Sequence, residues 1–245
     1  IVEAGEDLVL EAAREVLETR GSPGPVRLVV EVENGEAIAK NTLNARLGIK
    51  GGISILGTQG IVKPFSHEAW KATIDSGLEV ARAAGVATAA ISTGRRSERA
   101  LMARYPDLPE TAFVQGADFF AHATRKAAEL GFPEIVWGCY FGKLVKMAQG
   151  LGYTHARSEP TDFAMLADLA GKAGGDEDAR EMIARANTAR HVLEILSDAA
   201  VQARLAALTA QRAVEAARSF AGSGPRIEIV CFGFESGVLA EAYTS

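Results

Sequence analysis

The chain has 245 residues, 48% of them hydrophobic, which suffices for the core of one large α/β domain or two small ones. A formal net charge of −5 excludes a global electrostatic attraction to nucleic acid or to an anionic membrane. No apolar run approaches a membrane span and no signal peptide is visible, so a soluble cytoplasmic protein is expected, with Cys139 and Cys231 as buried thiols rather than a disulfide.

The chain opens on Ile1, and its first segment reads as mid-domain, the pattern expected of a fragment of a longer protein. Residues 6–19 predict an amphipathic helix with Leu8, Ala12, Val16 and Leu17 as its stripe. A turn over 21–25, a strand over 26–32 and a short helix over 36–43 follow. Residues 41–64 then pack Gly48, Gly51, Gly52, Gly57 and Gly60 around the apolar run Ile53-Ser54-Ile55-Leu56. That run reads as a buried strand entering a glycine-rich loop, and Ser66 opens the next helix as its N-cap. Strand, glycine loop and helix can hold an anionic or nucleotide-like ligand on free amides and the helix dipole. The same glycines also suit a tight turn that needs close packing, and neither a GxGxxG spacing nor a Walker lysine is present.

Residues 66–84 predict a helix with Trp70, Ile74, Leu78 and Ala81 on one face. A small-residue strand over 86–91 runs into Ser92-Thr93-Gly94-Arg95-Arg96-Ser97-Glu98, with helix over 99–105 and a break over 106–109. A short strand over 112–115, a helix over 118–130 and a strand over 134–139 come next, and Phe141-Gly142-Lys143 opens another helix. Beyond His155 the chain is helical over 161–173, capped again at Asp176, and nearly continuous over 178–220 with a break expected near Ser197-Asp198. Leu193, Leu196, Val201, Leu205, Leu208 and Val214 form a packing seam, and residues 227–232 make a last strand.

This alternation predicts an α/β fold, Rossmann-like, with a mostly parallel sheet, helices on both faces and a helical C-terminal part. Residues 1–50 are expected to be the remnant of an N-terminal α+β domain and residues 51–245 the α/β domain. Ligands are then expected at the carboxyl ends of the strands. Turns 57–60, 93–97 and 140–143 would converge there. Adjacent Arg95 and Arg96 at a helix start oppose its dipole, so they are either a solvated helix start or the partners of a polyanion. Lys143 and Lys146 share a helix face near His155 and Arg157, and are either surface or site. Asp118 reads by default as an N-cap. Among the histidines, His67, His122, His155 and His191, no metal-ligand spacing occurs, and His155 is the best functional candidate beside the reading that it caps a turn.

The string from Arg46 to Val62, RLGIKGGISILGTQGIV, resembles the cobalt-precorrin-5B C1-methyltransferase family of anaerobic cobalamin biosynthesis. Ser92-Thr93-Gly94-Arg95 with Ser97-Glu98, Gln115-Gly116 with Asp118-Phe119, Phe141-Gly142-Lys143-Leu144-Val145-Lys146-Met147-Ala148 and Thr154-His155-Ala156-Arg157 carry the same likeness. The family's threonine-, glycine- and cysteine-containing opening is not in the sequence, Tyr140 stands where other members carry histidine or methionine, and Ala117 interrupts the glycine–aspartate pair. The resemblance implies S-adenosylmethionine as methyl donor and a cobalt-bearing tetrapyrrole as acceptor, with no protein metal site; charge and hydropathy give no nucleic-acid or membrane partner, and a homo-oligomer is left open. It implies donor contacts at Gly51, Gly52, Gly57, Thr58, Gly60, Thr93, Gly94 and Asp118. It implies acceptor carboxylates on Arg95, Arg96, Gly142, Lys143, Lys146 and Arg157, with His155 as the base if a proton must leave. A non-catalytic corrinoid-binding module and a nucleotide-dependent oxidoreductase are the alternatives.

Overall fold

The computed structural model describes residues 3–21, 25–29, 31–40, 42, 46, 49, 53, 66–234 and 237–244. The chain divides into two units, Ile1–Trp70 and Lys71–Ser245. The first holds α1 (Glu3–Arg20) and α2 (Gly35–Ala39). Asn34 enters α2 at φ 56°, a left-handed value that asparagine tolerates, and Thr42 Oγ1 closes the helix by donating to Ala39 O at 2.7 Å. The apolar run over 26–32 forms no strand among its described residues, and Val26, Leu28, Val29 and Val32 are exposed. High β propensity does not make a strand without a neighbouring ladder to pair with. Gly51, Gly52, Gly57, Thr58 and Gly60 lie outside the described residues.

The second unit takes most of α3 (His67–Ala83), whose Ile74, Leu78 and Ala81 are fully buried. Trp70, expected on the same face, remains 37% exposed. Ser66 accepts weakly from the Ala69 N–H at 3.4 Å. From there strand and helix alternate through β1 (Thr88–Ser92), α4 (Arg95–Arg104), β2 (Phe113–Gln115), α5 (Phe120–Glu129), β3 (Glu134–Tyr140) and α6 (Phe141–Ala148). Four helices follow, α7 (Phe163–Ala173), α8 (Glu177–Ala184), α9 (Ala189–Ile195) and α10 (Ala199–Ala221), before β4 (Arg226–Phe232) and β5 (Val238–Tyr243). The sheet order is β2-β1-β3-β4-β5, with the first four strands parallel and β5 antiparallel at the edge. The α/β expectation therefore holds.

Helices cover both faces because β3 alternates two kinds of residue. Trp137 points to one face, where its ring meets Phe120 of α5 edge-on at 5.2 Å and its Nε1 donates to Thr124 Oγ1 at 3.0 Å. Phe220 of α10 packs on Phe120 from the same side. Gly138 points to the other face, where a Cβ would lie 2.4 Å from Leu101 Cγ of α4. On that side Tyr105 donates to Glu228 of β4 at 2.7 Å; burial and then this bond hold its phenol above the ordinary range.

Two points differ from the sequence reading. The stretch over 178–220 breaks twice: Asp198 caps α10 through the Ala200 N–H as expected, and Thr188 caps α9 through the His191 N–H. The strand β5 was not expected, although Ala240 and Ala242 point inward and Glu241 and Tyr243 outward with the two-residue period of a half-buried strand. Cys139 and Cys231 sit opposite one another on β3 and β4 as free, buried thiols. Burial pushes both up, Cys231 to about 12. No helix among the described residues is long and apolar enough to cross a membrane.

Candidate functional site

The strand order places a switch point between β1 and β3, since the chain leaves β1 towards β2 on one side and then crosses to β3 on the other. A crevice at the carboxyl ends of such neighbours is where α/β sheets bind ligands. The Thr93 N–H donates to Gly138 O at 3.2 Å and ties the end of β1 to β3. Gly94 then turns into α4 at φ 153°, a value that L side chains rarely adopt, with nothing within 4 Å of where a Cβ would stand. Neither α4 nor α6 has a side-chain cap at its N-terminus. Both helices thus begin at the crevice with amide donors and the positive end of a dipole.

The first turn of α4 is pinned from below. Ser97 Oγ donates to Gly94 O at 2.9 Å and lies 3.2 Å from Thr93 Oγ1. Glu98 is buried and accepts from Gln115 Nε2 at 2.8 Å. Arg95 and Arg96 stand on the exposed side. Arg96 lies 4.6 Å over the Tyr140 ring and donates to Phe234 O, so part of what offsets the helix dipole there is supplied by the protein itself.

Asp118 is not the cap of α5. That position belongs to Phe119, without a side-chain bond, and the Asp118 carboxylate instead takes Lys143 Nζ as its partner. Lys143 also donates to Thr154 O at 3.1 Å. Thr154 returns its N–H to the Asp118 carbonyl at 2.8 Å and its hydroxyl to Oδ1 at 3.3 Å and to the carbonyl at 3.4 Å. The pair therefore joins the end of β2, the start of α6 and the loop after α6 over the end of β1. Gly142 makes no close packing demand, because a Cβ there would meet only Ala189 Cβ at 4.0 Å.

The next turns of α6 hold the same loop. Lys146, 5% exposed, donates to Glu159 O, and Gln149 donates to Pro160 O at 3.1 Å. Burial, with the charge of Lys143 adding to it and Glu159 opposing, keeps the Lys146 amine below its ordinary range. Lys143, Lys146 and Gln149 thus form a ladder of donors along one helix face. The loop carries His155 stacked on Tyr153 at 5.9 Å, and Tyr153 lies against Phe119 at 5.1 Å. His155 Nδ1 accepts from the Arg157 N–H at 3.2 Å, so a neutral ring carries its proton on Nε2. Arg157 is exposed. Replacing Lys146 with methionine keeps the apolar stem and removes the donor. Amide exchange over residues 155–160 is then expected to quicken about tenfold relative to the parent, read by mass spectrometry, with exchange in β3 unchanged.

Of the turns that sequence reasoning brings to one sheet edge, those over 93–97 and 140–143 lie at the ends of β1 and β3, and Asp118 joins them through Lys143; sequence reasoning misses Thr154, Gln149, Glu98 and Gln115 as the side chains that fix them. Phe234 and Tyr140, which hold Arg96, were also without a role. His122, in the first turn of α5, bonds Asp75 of α3 at 2.7 Å. Among the described residues no group of three or more His, Cys, Asp and Glu side chains could hold a metal ion.

Comparison with known proteins gives the same direction. The model of the CbiD C-terminal domain matches residues 153–243, and the CbiD model matches residues 1–64. A protein of Nitratidesulfovibrio vulgaris named cobalt-precorrin-5B C(1)-methyltransferase is 55% identical over 232 residues, covering 94% of this chain and 59% of that protein. Proteins of the same name from Geobacillus sp. (strain WCH70) and Variovorax paradoxus are 45% and 40% identical, over 78% and 89% of this chain and 53% and 60% of theirs. The chain thus spans somewhat over half the length of these relatives. No solved structure matches. With both family models and relatives across nearly its whole length in agreement, the chain belongs to the CbiD family.

Proposed function

We propose that this chain belongs to an S-adenosylmethionine-dependent methyltransferase that methylates C1 of cobalt-precorrin-5B in anaerobic cobalamin biosynthesis, acting in the cytoplasm. The observation that supports it best is the switch point between β1 and β3, where Gly94 has open space at its Cβ position and two helices begin without side-chain caps. The donor's carboxylate fits the amides at Gly94 and the start of α4, where a side chain would block the approach. The donor supplies an activated methyl group on a sulfonium, and the acceptor brings its own cobalt. What the chain does is align the partners and keep water out.

Lys143 and Arg96 offer cations to the acceptor's carboxylates, and the Asp118–Lys143–Thr154 junction fixes the lysine's position. His155, with Nδ1 engaged, presents a donor on Nε2; it acts as a base only after the Arg157 N–H lets go of Nδ1. Titration calorimetry with S-adenosylmethionine tests the reading, on this chain and on a version lengthened to the span of its relatives. Binding is expected, and Gly94→Val is expected to weaken it at least about tenfold by filling the floor of the crevice. Absence of binding in both versions, with NAD bound instead, would transfer the reading to an oxidoreductase.

A further inference from the structure

Beside the switch point, four residues from four parts of the second unit are linked in series. Arg96 comes from α4, Tyr140 ends β3, Phe234 follows β4 and Arg190 lies on α9. The Arg96 guanidinium stacks 4.6 Å over Tyr140 and donates to the carbonyl of Phe234. The Arg190 guanidinium stacks 4.7 Å over the ring of that same Phe234, while its Nε donates to Glu194 at 2.7 Å. Phe234 remains 51% exposed.

An ordinary solvated arginine swings freely and finds a carboxylate. Among the described residues no carboxylate pairs with Arg96, which stands at the dipole-positive end of α4. Stacking on a ring fixes a guanidinium's plane and removes part of its water, which readies its remaining N–H groups for an anion. Two such forks attached to one residue suit a ligand with several carboxylates along an edge, because the second contact forms at high effective concentration. A half-exposed aromatic ring beside them suits a flat conjugated body.

We propose that Arg96, Tyr140, Phe234 and Arg190 form a docking platform for a planar macrocycle edged with carboxylates, its ring against Phe234 and its acid arms on the two guanidiniums. This rests on the methyltransferase reading, in which that macrocycle is the methyl acceptor, and it adds Tyr140, Phe234 and Arg190 to the acceptor site.

The probe is uroporphyrin, a flat tetrapyrrole with eight carboxylates, titrated into the full chain and followed by its visible absorbance. Phe234→Ser and Arg190→Gln each remove one exposed contact and are expected to weaken binding about fivefold, and together at least about twentyfold. Phe234→Trp keeps a flat apolar face and is expected to hold parent-like affinity. Coproporphyrin, with four carboxylates, is expected to bind more weakly than uroporphyrin and to lose less on Arg190→Gln. Equal uroporphyrin affinity in parent and double variant, or no binding by the parent, overturns the platform. Calorimetry with S-adenosylmethionine on the same samples separates the two proposals. Donor binding intact with the platform overturned leaves the methyltransferase reading standing. No donor binding by this chain or by its lengthened version, with uroporphyrin affinity still dependent on Phe234 and Arg190, leaves the platform standing as a macrocycle site and removes the enzyme reading.

Discussion

Replacing Gly138 with alanine is expected to lower the unfolding free energy by about 2–3 kcal/mol, the range for overfilling a packed core. The added Cβ would stand 2.4 Å from Leu101 Cγ, 2.6 Å from Cδ1 and 3.0 Å from Cδ2. Leu101 is fully buried and cannot swing into solvent, so the strain must pass to α4 or to β3. In a chain of this size the melting temperature is expected to fall by about 5–10 °C. Leu101→Ala alone leaves a cavity and costs about 2–5 kcal/mol. Combined with Gly138→Ala, it opens space for the new methyl, so the double variant is expected to lose clearly less than the two single losses together. Urea unfolding of all four proteins reads the coupling, and strict additivity would show that the two residues do not press on each other.

The consequence reaches the crevice. Leu101 sits on the helix that begins at Gly94 and carries Arg96, so a shift of α4 moves the amides and the guanidinium together. Gly116 has a matching part on the opposite face. A Cβ there would lie 2.6 Å from Trp137 Cη2 and 2.7 Å from Ile91 Cγ2. One glycine lets α4 close on the sheet, and the other lets the turn after β2 close on the Trp137 ring. Gly138 and Gly116 thus shape the site through packing, whereas Gly94 does so through its backbone angle.

The sheet was legible in the sequence because β1, β3 and β4 are apolar runs bounded by turn residues, which is what a strand buried on both faces requires. The edge strand β5 escaped notice because its inward positions, Ala240 and Ala242, are too small to mark an apolar stripe. The break before α9 escaped notice because the Thr188 cap lies inside an alanine-rich run with strong helix propensity. At the site, the strand-end turns were readable but their partners were not. Lys143 meets an aspartate 25 positions earlier, and Arg96 meets a carbonyl 138 positions later, through contacts that only the 2-1-3-4-5 order creates. Local pattern identified Asp118 as a cap because an aspartate before a helix usually is one, and the tertiary partner overrode that preference.

On the proposed function, Lys143→Met is expected to weaken acceptor binding about tenfold to a hundredfold, the loss of one or two charge-assisted hydrogen bonds. It also leaves the Asp118 carboxylate, about four-fifths buried, without its cation, and it frees the Thr154 carbonyl. Because both partners retain some exposure, the accompanying loss of stability is expected at about 1–2 kcal/mol, less than for a fully buried pair. A lower affinity could then come from a displaced loop alone. Asp118→Asn in the same chain separates the causes. The amide keeps an acceptor oxygen for Thr154 and carries no charge to strand, so the double variant is expected to recover most of the stability. If Lys143 meets the acceptor directly, affinity for the carboxylate-bearing macrocycle stays low in that stable double variant. If affinity returns with stability, Lys143 is a strut for the loop over 153–160, and the acceptor's carboxylates rest on the arginines. In either case S-adenosylmethionine binding is expected to remain within about threefold of the parent for Lys143→Met, since Gly94 and the first turn of α4 are held by Ser97, Glu98 and Gln115 rather than by this pair.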